Sequence, residues 1–156
     1  MTKRFFSKNQ LVFTVEGRPL SRGNSMGHGV SGGASEFKQL VRLAAKMAMA
    51  EQGWKKTKKA VYMAIIIYLS PSEAKRLHYK PNIEKLKNDK IFAIKTPNIE
   101  RIATVVVNAL RGIVYDVGKQ VVGLVTVKKY AKEPRIEVLI GEPEDFKELK
   151  HDLRNI

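Results

Sequence analysis

The sequence predicts an α+β domain: a mixed, largely antiparallel sheet with helices packed on it, in the order β-α-β-insert-α-β-β-α. Three observations carry this. Four runs of strand length are rich in β-branched and aromatic residues: L-V-F-T-V, A-V-Y-M-A-I-I-I-Y-L, Q-V-V-G-L-V-T-V-K-K-Y and I-E-V-L-I. Two other stretches space their apolar residues for one face of a helix. Polar segments bearing glycine or proline separate these elements and set their boundaries. At 156 residues the chain has room for one domain with one substantial core, so residues 1–156 are expected to form a single unit.

L-V-F-T-V (11–15) is a short strand that G-R-P-L closes. A glycine-rich segment over 21–35 follows, with no G-K-S/T and no strand-to-helix G-x-G-x-x-G context, so it reads as a flexible loop rather than a nucleotide site. Ser35 is a suitable N-cap for a helix over about 36–52, whose core-facing stripe would be Phe37, Leu40, Val41, Ala44, Ala45, Ala48 and Met49. Gly53 ends it, and K-K-T-K-K leads into the isoleucine-rich run, which reads as a strand buried on both faces and therefore central.

Residues 71–96 form a basic insert, in which P-N-I-E-K (81–85) nearly copies P-N-I-E-R (97–101); two five-residue matches do not make an architectural repeat. A second helix is expected from Pro97 or Asn98 to Leu110, stopped by Gly112, with Ile102, Val105, Val106, Ala109 and Leu110 on its buried face. Y-D-V-G-K is a turn. The last two strands, joined by K-E-P-R (132–135), are expected to form a hairpin. Residues 142–156 are acidic and read as a short terminal helix or tail beginning at Pro143.

Charge narrows the function. The chain carries 29 Lys and Arg against 15 Asp and Glu, and residues 1–132 hold 25 of those basic residues but only 8 of the acidic ones. A field of that sign attracts polyanions, and neutralising phosphates releases counterions, so nucleic acid is the leading partner. No basic amphipathic membrane helix is visible and no apolar run approaches the ~20 residues that span a bilayer, so no membrane partner is expected. There is no cysteine, which excludes disulfides and thiolate metal sites, and His28, His78 and His151 show no zinc spacing. The N-terminal T-K-R-F-F-S-K has no long apolar stretch behind it, which argues against a signal peptide and for the cytoplasm.

The ordered series P-N-I-E-R-I, N-A-L-R-G-I-V-Y, Q-V-V-G-L and K-K-Y-A-K-E-P-R-I-E-V, preceded by V-E-G-R-P-L-S-R and E-F-K-Q-L-V-R-L-A-A, resembles RusA-type Holliday junction resolvases over about residues 11–140. The resemblance implies a homodimer that acts in DNA recombination and repair. It implies binding to four-way junctions and nicking with magnesium, or manganese, held by aspartates. Magnesium is a hard cation that wants oxygen ligands, lowers the pKa of bound water and stabilises a developing oxyanion.

Carried over residue by residue, the family's first two aspartates fall on Asn98 and Glu100, its lysine on Thr104, and its Asp-Asp pair on Val117 and Gly118. Asp116 sits one or two residues early. The metal ligands implied are therefore Glu100 and Asp116, with Asn98 a neutral third at a degenerate centre. The residues themselves also permit a simpler role for Asn98 and Glu100, as the polar first turn of a helix.

For DNA contact, Lys95, Arg101, Arg111 and Lys119 surround that centre, Lys128, Lys129 and Lys132 follow it, and Arg18, Arg22 and the K-K-T-K-K run add charge elsewhere. Tyr115 and Tyr130 are candidates for stacking on exposed bases, Tyr115 also for the core. The expected function is branched-DNA binding with the nuclease centre lost and no cofactor. The alternatives are an active junction endonuclease using Asn98, Glu100 and Asp116, and a protein-interaction module on the same scaffold.

Overall fold

A computed structural model of the chain describes residues 9–20, 32–70 and 97–154. The 71–96 insert, most of the glycine-rich loop, Arg22 and Lys95 lie outside the described residues.

The strands are β1 (Gln10–Glu16), β2 (Val61–Leu69), β3 (Val121–Tyr130) and β4 (Arg135–Gly141), and the helices are α1 (Gly32–Gln52), α2 (Ile99–Leu110) and α3 (Phe146–Leu153). The α+β class and the element order are those the sequence implied. One sheet runs in the order β1-β4-β2-β3, with β4 antiparallel to β1 and β2, and β3 parallel to β2.

That order corrects the expected hairpin. β3 and β4 are joined by a short turn, yet β2 lies between them and pairs with both. V-Y-M-A-I-I-I-Y-L is buried at every position but Ile66, and a strand buried on both faces is best satisfied with a neighbour on each side. Where the turn crosses the end of β2, Ala131 N–H donates to Leu69 O at 2.9 Å.

Alternation along the strands creates two cores. Leu11, Phe13 and Val15 of β1, Met63, Ile65, Ile67 and Leu69 of β2, and Ile136, Val138 and Ile140 of β4 share the larger core with α1 and α2. On the opposite face Tyr62, Ala64 and Leu139 pack with Leu149 of α3. A Cβ at Gly141 would overlap the Tyr62 ring, so that close approach requires glycine.

Three helix details differ from expectation. α1 begins at Gly32, taking in the end of the expected loop and placing Ser35 inside its first turn rather than at its cap. Leu40 is half exposed and sits with exposed Leu43 and Met47 away from the core; its spacing from Phe37 and Ala44 is helical, but its direction falls past the edge of the buried arc. α3 starts at Phe146 rather than Pro143, because Asp145 is the better cap: its carboxylate accepts from Glu148 N–H at 2.8 Å while Glu148 accepts from Glu144 N–H at 2.7 Å. α2 ends as expected, with Gly112 at φ +80 just past its C-cap.

Candidate nucleic-acid interface

α2 runs antiparallel to β2 and β3. At its N-terminal end Pro97 O accepts from Lys128 Nζ at 3.3 Å, near the C-terminal end of β3. At its other end the chain turns back to form a bridge between Tyr115 and Thr57, just before β2 begins. The candidate residues therefore divide between two ends of the molecule, about 26 Å apart along the nine residues of β2.

The first end gathers Arg18, which follows β1, and Arg101, both exposed. Lys128 and Lys129 are adjacent and so point to opposite faces of β3. Lys128 reaches beneath α2, whereas Lys129 lies 4.9 Å from the centre of the Tyr68 ring, whose space Arg135 shares at 3.8 Å. Asn98 occupies the N-cap of α2, but among the described residues its side chain makes no capping bond. Exposed Glu100 lies in the first turn, where a negative charge suits the helix dipole. It lines an open groove of about 370 Å³ with Ala103, Thr104, Val107, Asn108 and Leu124. Thr104, a neutral side chain, donates its hydroxyl back to Glu100 O at 2.8 Å.

The second end is more tightly built. Gln120 is buried and uses its whole amide: Oε1 accepts from Asp116 N–H and Val117 N–H, each at 2.8 Å, and Nε2 donates to Thr57 O and Lys59 O, each at 2.9 Å. Thr57 N–H and Trp54 Nε1–H both donate to Val114 O, at 3.1 and 3.2 Å. Asp116 pairs with Lys56 at 3.1 Å. Arg111 and Lys119 are exposed on the same turn. The K-K-T-K-K run, assigned by its sequence position to a separate region, is thus docked on the Arg111–Gln120 segment. Lys56 as the partner of Asp116 had no local signal, since the two residues are sixty positions apart.

Tyr115 is fully buried and donates its hydroxyl to Val107 O at 2.6 Å. Burial pushes its phenol well above the usual tyrosine range, while the Arg111 guanidinium pulls the other way. Tyr130 is buried too, so neither ring presents a face for base stacking, and Tyr115 takes the core role.

Glu100 and Asp116 do not meet within one chain. The helix between Glu100 and Leu110 is about 15 Å long, whereas oxygens sharing a magnesium each lie about 2.1 Å from it. Among the described residues no group of three His, Cys, Asp or Glu side chains is placed to hold a metal ion. Asn98, Glu100 and Asp116 of one protomer therefore do not fit magnesium as a single ligand set.

No helix among the described residues is long and apolar enough to cross a membrane. A family model described as endodeoxyribonuclease RusA matches residues 17–141, and no curated protein matches the chain.

Proposed function

The chain belongs to the RusA endodeoxyribonuclease family, and on that premise we propose that it is a homodimeric cytoplasmic protein that binds branched DNA with its magnesium-dependent nuclease centre lost. The observation that carries this reading is the contrast between charge and ligands. Cations line both ends of the domain, while Asn98 is neutral, Glu100 is the only carboxylate among the described residues of its groove and Asp116 is engaged by Lys56. Removing carboxylates from a magnesium site takes away charge as well as oxygen, whereas phosphate contact through lysine and arginine needs neither metal nor carboxylate. Arg18, Arg101, Arg111, Lys119, Lys128 and Lys129 are the proposed contacts, together with Arg22 and Lys95.

A labelled four-way junction incubated with magnesium or manganese tests this. The expected result is a stable complex and intact strands; symmetric nicks would sink the reading.

Family membership and an exposed Glu100 carboxylate favour a second reading, an active resolvase using Asn98, Glu100 and Asp116 with magnesium or manganese, which requires two protomers of a dimer to bring the three residues together. Under it, Glu100→Gln abolishes cleavage and leaves junction affinity within about twofold, because a solvent-facing carboxylate adds little to phosphate binding. Cleavage unchanged in that variant removes Glu100 from the chemistry. Absence of any nucleic-acid affinity would instead favour a protein-interaction module.

A further inference from the structure

Residues 55–59 and 111–120 are joined by the buried Gln120 amide, by the Thr57–Tyr115 bridge and by the hydrogen bonds to Val114 O. Together they present six exposed or half-exposed cations: Lys55, Lys56, Lys58, Lys59, Arg111 and Lys119. Two are compensated, Lys56 by Asp116 at 3.1 Å and Lys59 by Glu142 at 3.5 Å. Lys55, Lys58, Arg111 and Lys119 have no ion-pair partner among the described residues.

We infer that these two segments form a second phosphodiester-binding surface, at the opposite end of α2 from Asn98 and Glu100, which holds a nucleic-acid backbone without a metal. The inference rests on the nucleic-acid reading above and adds a surface to it. Four uncompensated positive charges gathered on two strands of chain repel one another, and a polyanion relieves that repulsion. Lysines that serve solubility alone can sit on any loose segment. Here the backbone beneath them is fixed: the Gln120 amide is fully used, and its partners include the carbonyls of Thr57 and Lys59, the residues on either side of Lys58. Fixed cations lose less freedom on binding phosphate than mobile ones do. The carbonyl end of α2, which carries partial negative charge, also favours Arg111 beside it.

The ligand is the sugar-phosphate backbone, read by charge and not by sequence. The experiment compares two double variants of equal charge change, Lys55→Gln with Lys58→Gln, and Lys46→Gln with Lys147→Gln on the exposed faces of α1 and α3. Affinity for a labelled four-way junction and for a duplex is measured over a salt series in the presence of a metal chelator, and thermal unfolding of each variant confirms the fold. The first pair is expected to reduce the log–log salt slope by about 1.8 and to weaken binding more than tenfold near 0.1 M salt. The second pair is expected to leave both near the wild-type values.

An unchanged slope for the first pair overturns the proposal, and so does an equal loss in both pairs, which would mean that only net charge matters. A wild-type protein that binds no nucleic acid overturns the underlying reading as well. Binding to anionic phospholipid vesicles in its place assigns the surface to lipid and overturns both.

Discussion

At the C-terminal end of α2 one buried side chain, Gln120, joins two distant segments with four hydrogen bonds, whereas at the N-terminal end Asn98 holds the cap position and, among the described residues, bonds to nothing through its side chain. The family resemblance places functional residues at both ends, and the two ends are built differently. The Gln120 end is tied together by those bonds and is rich in cations. The end that bears Asn98 has a helix start and an open groove in which, among the described residues, Glu100 is the only carboxylate. A side chain that bonds backbone on two segments fixes both, whereas a cap side chain with no bond among the described residues leaves its position open to other contacts.

The largest test of this contrast is Gln120→Leu. It removes four hydrogen bonds of about 1 kcal/mol each and strands backbone groups on both segments, so urea unfolding should show a loss of at least about 4 kcal/mol. A loss below about 1 kcal/mol, the worth of one ordinary hydrogen bond, would break the comparison, because the turn would then be held by the bonds to Val114 O and the packing around Trp54 and Tyr115 rather than by Gln120.

Tyr115→Phe should cost less, about 1 to 2 kcal/mol, through the hydroxyl that donates to Val107 O. It should also change the alkaline limb. The folded phenol titrates above the unfolded one, so its contribution to stability is complete below the ordinary tyrosine value of about 10 and is lost as pH rises above it. Stability of the wild type should therefore fall above about pH 10, and the phenylalanine variant should fall less steeply over that range. Parallel slopes in pH-dependent urea titrations would remove Tyr115 from the alkaline transition.

The local chemistry of the chain was legible in its sequence, and the long-range pairings were not. Apolar runs located the strands within a residue or two, and Gly112 marked the end of α2 because a positive φ is cheapest for glycine. The hairpin failed because nearness in sequence was weighed above the burial of β2, although the unbroken apolar run of β2 already required neighbours on both sides. The docking of the K-K-T-K-K run on the Arg111–Gln120 segment escaped for a related reason. Lys56 and Asp116, or Gln120 and Thr57, meet only once β2 and β3 pair in parallel, and no local pattern encodes that approach. Leu40 shows the limit of periodicity: residues at the margin of a helical stripe share its spacing, and tertiary packing decides which of them it covers.

Asn98→Ala is the smallest effect and the sharpest test of the other half of the comparison. A bonded N-cap is worth about 1 kcal/mol, yet a side chain that accepts no helix N–H should be removable at a cost of a few tenths at most. Asn98→Asp adds a charge at the positive end of the helix dipole and should stabilise by about 0.5 kcal/mol even without a capping bond, an increment that shrinks with added salt. The pair of variants separates two kinds of residue at one position. If alanine costs about 1 kcal/mol, Asn98 caps α2 in solution, and the N-terminal end is held by its own side chain as the other end is held by Gln120. If alanine is silent while aspartate stabilises, the position is electrostatic ground suited to a carboxylate and now occupied by a neutral amide, which is what a lapsed metal-ligand position would leave behind.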